Sequence, residues 1–361
     1  MAKKKQLKGS VVVASVDAGN GGVNAIVDGQ HIYFPSVRAR TSGQTLGLGA
    51  DMESNIDWFE FESARYMAGD DVLITLPRYV DRHQGTNRYG HELQRSLVAL
   101  ALARAGVGEK VPQEVDLTLF APPGLFSGLS RQIKDRFKEA GDVEIRLKGY
   151  DRPHRFSYAS ITVLPEGFAA VLALAFDKHG QVTKNKSLAG RVLVVDSGMF
   201  TTDVLMVTSG MVDAERLDFA TWTDGGIDPH VRQKVLKEVR SQSRDLAVAT
   251  LDHVDAAFRD PKHILRVGTY ETDITPLMDV LAEDYANWIA NNIVDSHFNS
   301  GDGFSGILLV GGGAALIQPI MSRPDWFGAK IISTGKTHPA DMNAQGGYNF
   351  RMAKLAGGKP R

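Results

Sequence analysis

Two short phrases in this chain have the residue types and spacing to hold a phosphate chain. Near the start, the β-branched run Val11–Val16 leads into Asp17-Ala18-Gly19-Asn20-Gly21-Gly22, followed by a second apolar run, Val23–Val27. In the middle, Arg191–Val195 leads into Asp196-Ser197-Gly198-Met199-Phe200-Thr201-Thr202, followed by Asp203–Val207. Each reads as strand, tight turn, strand, with Asp-x-Gly opening the turn. One such turn alone is ordinary hairpin chemistry, because Asp and Gly suit turn geometry. Two facing each other would bring two carboxylates and two rows of backbone N–H groups around one small volume. Amides hold phosphate oxygens and carboxylates hold a hydrated Mg²⁺, so the pair suits a phosphate chain with its metal.

A third element lies downstream. Ile307-Leu308-Leu309-Val310 is a buried-strand run that ends in Gly311-Gly312-Gly313 and enters a helix at Ala314. The glycines let a ligand approach the backbone. Between the two Asp-x-Gly phrases, Pro165-Glu166-Gly167 precedes Phe168–Phe176, an almost wholly apolar helix. A helix without a polar side is buried, here between two domains. At its N-terminus, Glu166 fits a favourable charge on the helix dipole, worth roughly 0.3–1 kcal/mol.

The remaining pattern supplies the elements that must position these groups. A third strand runs from Gln30 to Ser36, residues 41–57 read as loop, and Trp58–Phe61 and Asp71–Ile74 read as short strands. Helices are expected over His91–Ala105, Ser130–Ala140, Pro229–Ser241, Arg244–Phe258, Ile274–Asn292 and Asn343–Leu355. Val115–Phe120 is a strand, Val143–Lys148 and Arg155–Val163 a hairpin, and Lys330–Ile332 a last short strand.

Length and composition bound the answer. The 361 residues suffice for two domains, and 43% hydrophobic with 23% charged residues is ordinary for a soluble globular protein. No apolar run is long enough to span a membrane and no secretory signal precedes the first strand, so a cytoplasmic protein without membrane contact is expected. The absence of cysteine excludes disulfides and thiolate metal sites. A net charge of −1 argues against direct nucleic-acid binding by the body and leaves the Lys-rich N-terminus as the one dense basic cluster.

The order hairpin, Pro-Glu helix, hairpin, strand–Gly-Gly-Gly–helix resembles the actin, sugar-kinase and heat-shock-chaperone ATPase superfamily, over about Val11 to Leu355. Within it the chain is most similar to bacterial plasmid-segregation actins of the ParM type and related archaeal actin-like proteins. Val163–Ala170, Asp28–Ser36 and Asn343-Ala344-Gln345-Gly346-Gly347-Tyr348 carry that likeness. The resemblance implies an α/β, actin-like fold, two ribonuclease-H-like domains around a nucleotide cleft. It places a basic tail at 1–9, domain I at 10–188 with a small subdomain at about 37–95, domain II at 189–340, and a C-terminal helix at 341–361 returning to domain I.

The resemblance also implies an ATPase that binds ATP, or GTP, with Mg²⁺ and forms homopolymeric filaments that segregate plasmid DNA through a DNA-binding adaptor. Asp17 and Asp196 would hold the metal through water, and Glu166 would position the attacking water. Gly19, Asn20, Gly21, Gly22, Asn24, Ser197, Gly198, Met199, Thr201, Gly225, Gly226, Gly311, Gly312 and Gly313 would surround the nucleotide. Two departures stand out: Asn24 occupies a position the family gives to a lysine, and Met199 and Phe200 replace small residues. The alternatives are a small-molecule kinase and a non-hydrolysing assembly or adaptor protein.

Overall fold

The computed structural model describes residues 11–41, 57–70, 72, 80–81, 88–209, 211–212, 221–295, 304–326 and 330–357. The Lys-rich tail, most of the expected loop at 41–57, and residues 71, 73 and 74 of one expected strand lie outside them. Two mixed sheets organise the chain. The first joins β1 (Val12–Ala18), β2 (Gly22–Val27), β3 (Gln30–Pro35), β4 (Arg38–Arg40), β5 (Phe59–Phe61), β6 (Ala64–Ala68), β7 (Gln113–Ala121), β8 (Asp142–Leu147) and β9 (His154–Pro165) in the order β3-β2-β1-β7-β9-β8-β5-β6-β4. The second joins β10 (Arg191–Ser197), β11 (Thr202–Thr208), β12 (Met211–Val212), β16 (Gly306–Val310) and β17 (Ile331–Ile332) in the order β12-β11-β10-β16-β17, with β13 (Thr221–Trp222) beside β11. A separate hairpin pairs β14 (Ile264–Val267) with β15 (Tyr270–Asp273).

The helices are α1 (Glu92–Arg104), α2 (Phe126–Glu139), α3 (Phe168–Ala175), α4 (Gln233–Gln242), α5 (Leu251–Arg259), α6 (Thr275–Ile289), α7 (Ala314–Met321) and α8 (Met342–Leu355). They stack with the sheets in five layers, and the period-2 alternation of the strands explains the stacking. Ala14, Val16, Leu117 and Leu119 face α1 and α2, meeting Leu97, Ile133 and Phe137 in the first core. Val13 and Ile26 point the other way, onto Ala344 and Tyr348 of α8, while Phe120 meets Ala169 and Leu172 of α3. In the second sheet Val192, Val194 and Leu205 face the same middle layer, packing on Ala170 and Val171. Leu193 and Val195 face outward to the helices of the second half. The apolar helix α3 is therefore wedged between the sheets, as its lack of a polar side requires.

Three local expectations differ from the structure. Residues 244–258 do not form one helix: a single turn at Leu246–Val248 is followed by α5. Ala249 is extended, and Thr250 starts the new helix, its N–H donating to His253 Nδ1 at 3.0 Å. Asp70 and Val72 lie in a helical turn rather than a strand, because Gly69 at φ 83° turns the chain out of β6. The expected helix beginning at Pro229 opens with a wide turn, Asp228–Arg232, before α4.

Candidate functional site

The two Asp-x-Gly hairpins occupy corresponding places in the two sheets. Asp17 pairs with Asn24 across β1 and β2, and Asp196 pairs with Asp203 across β10 and β11. Each first strand has a parallel neighbour on its other side, β7 and β16 respectively. The turns meet at the floor of a cleft of about 950 Å³. Asp17, Gly19, Asn20, Gly21, Gly22, Asn24, Glu166, Asp196, Gly198, Met199, Thr201 and all three glycines Gly311, Gly312 and Gly313 line it.

Ser197, Gly225 and Gly226 do not line the cleft; they stand behind it. Ser197 follows Asp196 on the same strand, so its side chain points to the opposite face. There its Oγ lies 2.7 Å from the Tyr285 hydroxyl, which donates to the Gly225 carbonyl at 2.8 Å. Gly226 N–H donates to Phe200 O (3.1 Å), Ile227 N–H to Gly198 O (3.1 Å) and Asp228 N–H to Met199 O (2.8 Å). These residues brace the second turn. A Cβ on Gly226 would strike the Phe200 backbone, which accounts for the glycine without any ligand. Among the three downstream glycines, Gly313 donates to Ser197 O at 2.8 Å, whereas a Cβ on Gly312 would meet nothing within 4 Å. Gly312 is thus the one open to a ligand.

The site is closed at its centre by Asn343, the second residue of α8. Asn343 Nδ2 donates to Asp196 Oδ2 at 2.8 Å and to Asp17 Oδ2 at 3.4 Å. Its Oδ1 accepts from the Gly167 N–H at 2.9 Å. One amide side chain thereby links both aspartates to the residue that follows Glu166. Gly167 sits at φ 73°, with Val194 and Leu205 methyls 3.2–3.3 Å from where a Cβ would stand, so only glycine fits this corner. Sequence reading used Asn343 only as part of a segment resembling the family's last helix; nothing local shows that its side chain crosses the molecule.

Four carboxyl groups share this floor. Burial pushes Asp17 up to about 7, with the charge of Asp196 adding to it. Burial pushes Asp196 up to about 6 and Asp203 up to about 7. Glu166 is raised well above the carboxylate range by burial and then by the charges of Asp203, Asp17 and Asp196. Asp203 is held by the hydroxyls of Thr201 (2.9 Å) and Thr221 (2.6 Å). Such a cluster favours a nearby cation. Among the described residues no three His, Cys, Asp or Glu side chains converge for direct metal coordination. A fit to Mg²⁺ is therefore through metal-bound water.

Arg88 carried no signal in the sequence, whereas Met199 stood out there as a bulky residue in the second turn. Buried Arg88, just before α1, lines the cleft and donates from Nη1 to Asn20 Oδ1 and from Nη2 to Ala18 O of the first turn. Met199 reaches across from the second turn to the first: a Cβ on Gly21 would lie 3.0 Å from its Cε. The Met199 side chain thus narrows the cleft as well as packing on the second core. At the mouth, Arg259 of α5 pairs with Asp70 at 3.1 Å, joining the two walls by an exposed ion pair.

Comparison with known proteins agrees with this architecture. Residues 15–168 match the family model for the N-terminal domain of actin-like proteins, and residues 194–323 match the C-terminal model of archaeal actin homologues of the MreB-like kind. An archaeal actin homologue of Thermoplasma acidophilum is 27% identical over 317 residues, 85% of this chain and 89% of its own. Crystal structures of an archaeal actin homologue, 20% identical, superpose with a TM-score of 0.74 for native data and 0.70 for a complex with ADP, covering 96% of this chain and 100% of theirs. The structure of a 15-stranded ParM filament from Clostridium botulinum, 16% identical, gives 0.73 over 96% of this chain and 99% of its own. Matched along both halves and sharing one fold throughout, this chain belongs to the actin-like superfamily.

Proposed function

We propose that this protein is a nucleotide-dependent, filament-forming ATPase. The observation that carries the reading is the meeting of Asp17 and Asp196 on one amide, Asn343, at the floor of a cleft lined by two glycine-bearing turns and by Gly312. A nucleoside triphosphate lies with its base and ribose toward Gly311–Gly313 and its phosphates between Gly19–Gly22 and Gly198–Thr201. Asp17 and Asp196 would hold Mg²⁺ through water, and the ion would supply neutralisation of phosphate charge. Glu166 orients the attacking water, since phosphoryl transfer depends on positioning and charge stabilisation. An ADP complex of an archaeal homologue of the same fold supports a nucleotide in this cleft.

Domain I comprises residues 10–188 with a small subdomain at about 37–95, domain II residues 189–340, and residues 341–361 return to domain I. Because α3 and α8 form the layer between the sheets, closing the cleft on nucleotide repacks that layer and changes the outer surfaces together. Copies then add head to tail through contacts that do not close into a ring. The ParM filament of the same fold supports self-assembly. The cargo in this reading is plasmid DNA in the cytoplasm, reached through a DNA-binding adaptor because a chain of net charge −1 has no excess of positive charge for phosphates. Among the described residues no helix is long and apolar enough to cross a membrane.

The test is light scattering with parallel phosphate release after adding ATP and Mg²⁺. Scattering that rises and then decays as phosphate appears is the expected result. Phosphate release without scattering would point to a soluble ATPase or kinase, and scattering without release to a static scaffold.

A further inference from the structure

Arg88 is a buried cation in an unusual setting. It is 5% exposed, and among the described residues no carboxylate forms an ion pair with it. Two of its donors are spent on the first turn, at Asn20 Oδ1 and Ala18 O, while its buried Nε–H has no partner. It lines the same cleft as Asp17, Asn20, Gly21 and Glu166. Its charge is felt by Asp17 and Glu166, which it partly offsets. Asn24, the residue facing Asp17 across the hairpin, is neutral. Of the other arginines that line the cleft, Arg232 pairs with Asp228 and Asp255 and Arg259 with Asp70, whereas Arg88 is anchored to backbone and amide oxygens of a turn. A buried charge is costly unless an opposite charge meets it. The two bonds to the turn use two of the five N–H donors of Arg88, and the remaining donors of a guanidinium match the oxygens of a phosphate.

We propose that Arg88 is the phosphate-charge partner of this cleft: fixed against the first turn by Asn20 and Ala18, it engages the terminal phosphates of a nucleoside triphosphate and supplies the positive charge that Asn24 does not. This rests on the nucleotide reading of the cleft above. The role has a structural corollary. Arg88 precedes α1, whose partner Arg38 on β4 donates to Glu92 at 3.0 Å and to Ser96 at 2.9 Å. A terminal phosphate drawn to Arg88 thus pulls on the segment that joins the first turn to β4 and its neighbours. ATP and ADP, which differ at that phosphate, would then be distinguished by Arg88.

The experiment is equilibrium binding of fluorescent ATP and ADP, each with Mg²⁺, to the full-length wild-type protein, Arg88→Gln, and Arg88→Gln/Asn24→Lys. Wild type binding neither nucleotide would remove the nucleotide reading itself. Given wild-type binding, Arg88→Gln is expected to lose about tenfold or more in ATP affinity and about threefold or less in ADP affinity. Lysine at position 24 is expected to restore much of the ATP preference. An unchanged ATP-to-ADP ratio in Arg88→Gln overturns the proposal. Should that variant fail to fold, as judged by far-UV circular dichroism, the same titration passes to Arg88→Lys, which keeps the charge but not the fork. A fall of about threefold or more in the ATP-to-ADP ratio is expected there, and an unchanged ratio overturns the proposal equally.

Discussion

Asn343 Nδ2 lies 2.8 Å from Asp196 Oδ2, although 147 positions separate the two residues in the chain. The contact ties the start of the last helix to the end of the first strand of the second sheet. The same amide nitrogen also reaches Asp17 in the first sheet, so the two halves are registered against each other at the floor of the cleft. Replacing Asn343 by Ala leaves the Gly167 N–H without its acceptor and two carboxyl groups facing each other unbridged. The expected outcome is a loss of about 1–3 kcal/mol of stability, read by urea denaturation of the apo protein. A variant as stable as wild type would show that the bridge contributes nothing.

Glu166 lines the cleft with both turns, and among the described residues its side chain forms no hydrogen bond or ion pair that would anchor the fold. Glu166→Ala is expected to keep nucleotide binding and filament assembly while phosphate release falls about a hundredfold or more. Filaments of this variant should persist after ATP addition rather than decay. Full turnover would remove Glu166 from the reaction.

The acidic floor gives the apo protein an inverted pH response. Asp17, Asp196 and Asp203 have folded values of about 7, 6 and 7 against an ordinary 3.8. Between pH 4 and 7 the folded state holds more protons than the unfolded one. Stability from these groups is therefore full below pH 4 and is lost as pH rises through 6 and 7. Melting temperature of the apo protein should fall from pH 5 to pH 8, and Asp17→Asn should flatten that fall. Mg²⁺ with nucleotide should flatten it as well, by neutralising the same charges. A melting temperature that rises over this range in the apo protein would contradict the buried cluster.

The middle layer depends on close approach of α8 and α3. A Cβ on Gly346 would collide with the Ala169 carbonyl, and one on Gly347 with Ser15 Oγ. Gly346→Ala should cost about 1–3 kcal/mol by forcing the two helices apart. Because that layer joins the sheets, the variant should also lose nucleotide-dependent scattering at temperatures where it remains folded. Wild-type stability would mean the helices can separate freely.

What the sequence determined by itself was local and periodic. The two Asp-x-Gly hairpins, the strand running into Gly311–Gly313, and the buried character of α3 follow from turn chemistry, β-branched runs and the absence of polar residues on one helix. These are properties of short windows, so they were legible without the fold. Ser197, expected at the nucleotide, instead points away from the cleft, because it neighbours Asp196 on a strand and neighbouring side chains face opposite sides. The break at Ala249 escaped because helical spacing continues through it, and only the cap at Thr250 marks it.

Tertiary structure alone decided the rest. Arg88 lies in a segment with no motif and Asn343 in one that marked only the entry to a helix; they stand 71 and 326 positions beyond Asp17 and reach the floor only when α1 and α8 dock on the first sheet. The carboxyl groups of Asp17, Asp196, Asp203 and Glu166 are ordinary until burial removes their water and sets them against one another. Desolvation and mutual charge depend on distance in space rather than on spacing along the chain, and no window of sequence contains that distance.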